Sequence, residues 1–95
     1  MEVSTMIAIQ VSLYPLGEKD IKKSLNDFWN ILKEENINHK VTPLSTITWG
    51  DDEEKLYQAI YKAYKKARKN SPAVMVTTLT TGTKEQIGEL LDYLR

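Results

Sequence analysis

Two short strands and the start of a helix follow one another in residues 41–54, which read VTPLSTITWGDDEE. The pattern predicts a strand over His39–Pro43 and another over Thr46–Trp49, joined so tightly that they form a hairpin. Gly50 ends the second strand, and either of the two aspartates after it can cap a helix with an acidic first turn. Hydroxyl side chains are dense in this segment: Thr42, Ser45, Thr46 and Thr48. Because a buried hydroxyl needs a hydrogen-bond partner, they indicate a polar surface suited to contact.

An earlier strand is predicted over Met6–Leu13, where apolar residues alternate with small or polar ones. One side of this strand is a core face: Ile7, Ile9, Val11 and Leu13. The other side is small and mixed: Met6, Ala8, Gln10 and Ser12. A side of this kind is more typical of a covered interface than of an open, charged surface.

Amphipathic helices are predicted before and after the hairpin. Apolar residues at spacings of three and four indicate a first helix over Lys19–Glu35, which Asn36 ends. The apolar stripe of Leu56–Ala67 indicates a second helix, and a β-rich strand follows over Ala73–Thr80.

A last helix is predicted after Thr83–Gln86, which has the form of a capping box. Its apolar side contains four residues: Ile87, Leu90, Leu91 and Leu94. The order β-α-β-β-α-β with a C-terminal helix predicts a ferredoxin-like α+β fold with a four-stranded antiparallel sheet. The two main helices should cover one face of that sheet, and the other face should stay open unless a second copy covers it.

The composition is that of one globular domain over residues 1–95, with 41% hydrophobic and 27% charged residues. Thirteen basic and thirteen acidic residues leave no net charge, which disfavours a strong field for nucleic acid or a membrane. The chain has no cysteine, so a disulfide, a thiolate nucleophile and a cysteine-based metal site are excluded. Neither a secretory signal nor a stretch of membrane-spanning length is recognisable, so a cytoplasmic protein is expected.

Three segments stand in a distinctive order and spacing: Ile7–Leu16, Val41–Gly50 and Val74–Leu79. Together they cover most of Met6–Thr81 and resemble the thiamine-binding, YkoF-like family of small ferredoxin-like proteins. The resemblance implies binding of thiamine or its hydroxymethyl-pyrimidine moiety without catalysis and without a cofactor. It also implies assembly through the sheet, so a homodimer or homotetramer is expected. Trp49 departs from the family pattern, in which an acidic residue often precedes the motif glycine.

Five residues are predicted to contact the ligand: Gln10, Ser12, Thr46, Thr48 and Trp49. Glutamine, serine and threonine side chains can form hydrogen bonds with both the donors and the acceptors of an aminopyrimidine. Trp49 can stack on a flat heterocycle. A purely structural interpretation stays open, because threonine is common in strands and an aromatic side chain can cap a sheet edge.

Other functions are compatible with this fold. The same sheet face can serve as an assembly module without a ligand. An acylphosphatase-like enzyme would need a glycine-rich phosphate-binding loop with an arginine after the first strand, and residues 14–18 have neither the arginine nor the glycine richness. RNA binding would need an aromatic pair on the central strands, which is absent, so no nucleic-acid partner is expected. His39 is the only histidine and has no metal-ligand spacing around it, so no metal site is expected.

Overall fold

The computed structural model describes residues 5–16, 21–43, 45–69 and 71–93. Its seven elements follow the predicted order: β1 (Thr5–Pro15), α1 (Ile21–Glu34), β2 (Asn38–Val41), β3 (Thr46–Gly50), α2 (Glu53–Ala67), β4 (Ala73–Thr83) and α3 (Lys84–Tyr93). The ferredoxin-like α+β fold is therefore confirmed. The predicted helix start at Lys19 and the apolar Leu94 lie outside the described residues.

The four strands form one antiparallel sheet in the order β2-β3-β1-β4. The predicted hairpin is present as the pair β2–β3. Its first strand ends at Val41, so the prediction that it reaches Pro43 is wrong. The reason is local: the Thr42 backbone N–H donates to the Ser45 carbonyl at 2.8 Å, so the hairpin closes between these two residues and Pro43 lies in its bend.

The first helix ends in a Schellman motif at Asn36, which has a φ of 56°. The N–H of Ile37 donates to the carbonyl of Leu32 at 2.9 Å, and the N–H of Asn36 donates to that of Lys33 at 3.0 Å. Asparagine tolerates this left-handed conformation better than most residues. Ile37, whose side chain is buried, follows this motif, and β2 begins at the next residue, Asn38.

The core lies between the sheet and the helices α1 and α2, which pack against each other on one face. Its largest fully buried apolar side chains come from β1, α1 and α2: Ile9, Val11, Phe28, Leu32 and Leu56. The apolar face predicted for β1 is thus confirmed as the core face.

The third helix lies against the opposite face of the sheet, so the prediction that this face stays open within one chain is wrong in part. The predicted capping box is present: the Gln86 N–H donates to Thr83 Oγ1 at 3.1 Å, and the Thr83 N–H donates to Gln86 Oε1 at 3.1 Å. It fixes the start of α3 directly after β4, and Ile87 is then buried to 2% exposure against the sheet. The middle of α3 stays open, since Leu90 is 53% exposed.

The cap of α2 distinguishes two neighbouring aspartates that the sequence leaves equivalent. Asp52 Oδ1 accepts from the Lys55 N–H at 3.1 Å, whereas Asp51 only approaches Lys84 at 3.6 Å on the surface.

Replacing Asp52 with alanine should lower the free energy of unfolding by about 0.5–2 kcal/mol, because one helix-terminal N–H loses its acceptor. The matched Asp51→Ala change should cost less than about 0.5 kcal/mol. Urea denaturation of both variants checks this, and equal losses would contradict the assignment of the cap.

Candidate functional site

The strand register divides the predicted ligand residues between the two faces of the sheet. Thr48 pairs with Ile9, and Thr46 pairs with Val11. Directly paired residues share a face, so both threonines lie on the core face beneath the helices. Gln10 pairs with Ile47 and therefore lies on the opposite face, as does Ser12. The structure therefore does not bring these four polar side chains together in one cleft.

Thr48 has a structural partner inside the protein. Its side chain is 0% exposed, and its Oγ1 donates to the carbonyl oxygen of Ile9 at 3.0 Å. The hydroxyl hydrogen of Thr48 therefore has its acceptor within the core, on β1, the strand that pairs with β3. No surface of Thr48 is open to a ligand in this conformation.

Thr46 is buried but lines a groove. It is 5% exposed, and its Oγ1 accepts from the indole Nε1 of Trp29 at 3.0 Å. Among the described residues no acceptor is found for the Thr46 hydroxyl hydrogen. Thr46 can therefore donate one hydrogen bond into the groove while Trp29 holds its oxygen in place.

The groove lies between α1 and the β2–β3 hairpin and has a volume of about 300 Å³. Its floor is apolar, with Val11 and Leu13 of β1, and Phe28 and Trp29 of α1 form an aromatic wall. Its polar side consists of the three hydroxyl residues that follow β2: Thr42, Ser45 and Thr46. Every lining residue in the described part of the chain is uncharged.

The turn between the strands positions two of these hydroxyls. Thr42 Oγ1 donates to the Ser45 carbonyl at 2.9 Å and accepts from the Ser45 N–H at 3.0 Å. The Oγ1 of Thr42 and the Oγ of Ser45 lie 3.3 Å apart. The side chain of Thr42 is therefore largely occupied by the turn, and Ser45 is the more available partner for a ligand.

On the opposite face of the sheet, Gln10 lines a smaller cavity of about 160 Å³ under α3, together with Ala8, Ile47 and Ile87. Trp49 pairs with Ala8 and shares that face. Trp49 is half-buried and also lines a separate, smaller pocket of about 110 Å³ at the start of α2. The structure therefore does not bring Trp49 to the groove of Thr46, and a ligand-binding role for Gln10, Ser12 and Trp49 stays a prediction.

The sequence does not indicate that Trp29 lines the groove. Trp29 belongs to the apolar stripe of α1 and is indistinguishable there from a core residue, because nothing local indicates that its indole N–H meets Thr46. Thr42 and Ser45 belong to the dense hydroxyl segment, and that density was the available signal.

Among the described residues, no group of three or more histidines, cysteines or carboxylates could hold a metal ion. In the same part of the chain, no helix combines the length and the apolar character needed to cross a membrane.

Comparison with protein families matches residues 6–85 to the YkoF-related family. Because the match spans most of the sequence, this chain belongs to the YkoF-related family. The hairpin residues that line the groove, 41–43 and 45–46, lie inside the matched region. No curated protein sequence matches the chain.

Solved structures share the fold at low sequence identity. A protein from Streptococcus pneumoniae is 20% identical, with a TM-score of 0.77, over 92% of this chain and 98% of that chain. A domain of unknown function from Bacillus cereus is 10% identical, with a TM-score of 0.73, over 88% and 84%. A proposed thiamine biosynthesis/salvage protein from Thermotoga maritima is 14% identical, with a TM-score of 0.71, over 95% and 99%. At these identities the likenesses show the fold alone.

The bond between Trp29 and Thr46 should appear as an energetic coupling. Trp29→Phe removes the donor and Thr46→Val removes the acceptor, so the second substitution should cost less once the first has been made. A double-mutant cycle in urea should give a coupling of about 0.5–1.5 kcal/mol. Additive costs would show that the two side chains do not interact in solution.

Proposed function

We propose that this chain binds thiamine or its hydroxymethyl-pyrimidine moiety, without transforming it, in the groove between α1 and the hairpin. The observation that carries the proposal is the buried Thr46, whose oxygen is held by Trp29 and whose hydroxyl hydrogen is directed to no acceptor among the described residues. Membership of the YkoF-related family and the fold shared with a proposed thiamine biosynthesis/salvage protein support the same ligand class.

Size and lining together favour the groove over the two cavities beside α3. Small-molecule sites usually enclose roughly 300–1,000 Å³ and combine an apolar lining with a few polar groups. The groove has about 300 Å³ and meets both conditions. The cavity under α3 has about 160 Å³, below that range, and the pocket of about 540 Å³ between β4 and α3 is lined mostly by exposed residues, including Glu89.

The chemistry of the lining favours the pyrimidine half of thiamine. An aminopyrimidine is flat and neutral, its ring nitrogens accept hydrogen bonds and its amino group donates them. Thr46 can donate to a ring nitrogen, Ser45 Oγ can accept from the amino group, and the ring of Trp29 offers an apolar wall. Since the described lining is uncharged, nothing in it would compensate a buried thiazolium cation. We therefore expect the pyrimidine to enter the groove and the thiazolium to remain outside.

The proposal extends to the organisation of the protein. The chain would act as a single thiamine-binding domain, as a homodimer or homotetramer rather than as an enzyme. A second candidate site is kept because Gln10 lines the cavity under α3, and its amide could also meet a pyrimidine. An assembly role without any ligand is the remaining alternative.

Calorimetric titration of the full chain tests the ligand. Thiamine and hydroxymethyl-pyrimidine should both bind, and the isolated hydroxyethyl-thiazole should not. No heat with either pyrimidine compound at millimolar concentration would contradict the proposal. Native mass spectrometry with the same compounds would give the number of ligands bound per subunit.

Paired variants locate the site. Thr46→Val should weaken pyrimidine binding about tenfold, which corresponds to one lost hydrogen bond of about 1.4 kcal/mol. The matched Gln10→Ala variant, on the other face, should bind like the wild type. If Gln10→Ala loses binding and Thr46→Val keeps it, the ligand site lies under α3 and the groove is the wrong assignment.

A further inference from the structure

The charges of α2 are separated along its length. Glu53 and Glu54 stand in its first turn, whereas residues 62–69 read KAYKKARK and contain no acid. The chain has no net charge overall, yet this end of the helix layer is strongly basic. Cations in a last helical turn stabilise their own helix by complementing its dipole, so their presence alone does not indicate a partner.

Most of these cations have no acidic partner within the chain. Lys62 approaches Glu35 Oε2 at 3.5 Å. Among the described residues, no carboxylate lies within ion-pair distance of the other four side chains, all of them exposed: Lys65, Lys66, Arg68 and Lys69. An anionic group can therefore approach these four cations without displacing an existing ion pair.

Two tyrosine rings lie among the cations. The Nζ of Lys65 lies 4.7 Å from the centroid of the Tyr61 ring, and the guanidinium carbon of Arg68 lies 5.3 Å from that of Tyr64. Tyr64 is itself fixed, because its hydroxyl donates to the carbonyl of Ala73 at 2.9 Å. These contacts restrict long cationic side chains before a partner arrives, which lowers the entropic cost of binding. Tyr61 stays 52% exposed, and the helix dipole does not account for an open aromatic ring beside the cations.

We propose that this basic surface, formed by Tyr61, Lys65, Lys66, Arg68 and Lys69, binds an acidic helical segment of another protein. Lys65 and Lys69 stand four residues apart, and the Lys69 N–H donates to the Lys66 carbonyl at 3.3 Å, so the last turn continues past the cap. The two lysines therefore match carboxylates at the same spacing on a partner helix. Arg68 can hold a carboxylate through two parallel hydrogen bonds, and Tyr61 can pack on an aliphatic side chain.

The extent of the basic surface favours a protein segment over a nucleic acid. Residues 62–69 span about 11 Å along the helix axis, which leaves room for only a few phosphates. Nucleic acids bind through many phosphate contacts, and in the other direction a phosphate backbone would meet the acidic first turn of α2. A peptide can carry its carboxylates over the basic end alone. The inference goes beyond the proposed ligand, since none of these residues lines the groove between α1 and the hairpin.

Fluorescence anisotropy with defined probes tests the basic surface on the full chain. The probe is a labelled peptide of three Leu-Glu-Glu-Ala repeats, and its neutral control has glutamine in place of every glutamate. A labelled oligothymidylate of the same length is the nucleic-acid probe. K65E/K69E reverses two charges of the basic surface, and the matched K40E/K55E reverses two exposed lysines away from it. K65Q/K69Q removes the same two charges without placing acids at the end of α2.

The acidic peptide should bind at least about tenfold more tightly than the neutral one at low salt, and added salt should reduce the difference. K65E/K69E should weaken binding at least about tenfold and K65Q/K69Q about threefold, whereas K40E/K55E should stay within about twofold of the wild type. Equal affinity for the two peptides, or equal losses in both charge-reversed variants, would overturn the proposal. Tighter binding of the oligothymidylate than of the acidic peptide would assign the surface to nucleic acid instead.

Light scattering of the same variants separates this partner from a second copy of the chain. Because α2 also begins with acids, another copy could in principle place its own acidic end on the basic surface. We expect K65E/K69E to keep the mass of the wild type. A mass that falls in K65E/K69E and not in K40E/K55E would show that a second copy covers the surface, and would overturn the proposed partner.

Discussion

The pairing of Ile9 with Thr48 is the constraint on which the rest of this structure depends. Side chains alternate between the two faces of a strand, so one pair between β1 and β3 decides the face of every other residue in both strands. With this register the apolar side of β1 meets α1 and α2, and the core is complete. The register also carries two threonines into the core, where each needs a hydrogen-bond partner.

The two threonines have different hydrogen-bond partners, one in the backbone of the sheet and one in a side chain of α1. Thr48 donates to the backbone of Ile9 inside the sheet, so its hydroxyl holds together the strands that bury it. Thr46 receives its bond from the side chain of Trp29 on α1 and keeps its own hydrogen. Thr48 therefore stabilises the sheet. Thr46, two residues earlier in β3, lines the groove and keeps a hydroxyl hydrogen that it can donate.

The order of the strands places the groove at one end of the sheet, beside the β2–β3 hairpin, and β4 at the other end. The third helix occupies part of the face opposite α1 and α2, so the surface available for packing between sheets is smaller than the strand pattern alone suggests.

The sequence by itself determined the elements and their order, because alternation in β1, the stripes of α1 and α2 and the box at Thr83 are encoded by near neighbours. It could not determine which face Thr46 and Thr48 occupy. That depends on the register between β1 and β3, in which Ile9 and its partner Thr48 are 39 positions apart, and a slip of one residue would have placed both threonines on the face of Gln10. The contact of Trp29 with Thr46 and the position of α3 were likewise decided by tertiary packing. The hydroxyl segment therefore predicted a polar surface, and only the folded sheet decided which of its side chains line the groove.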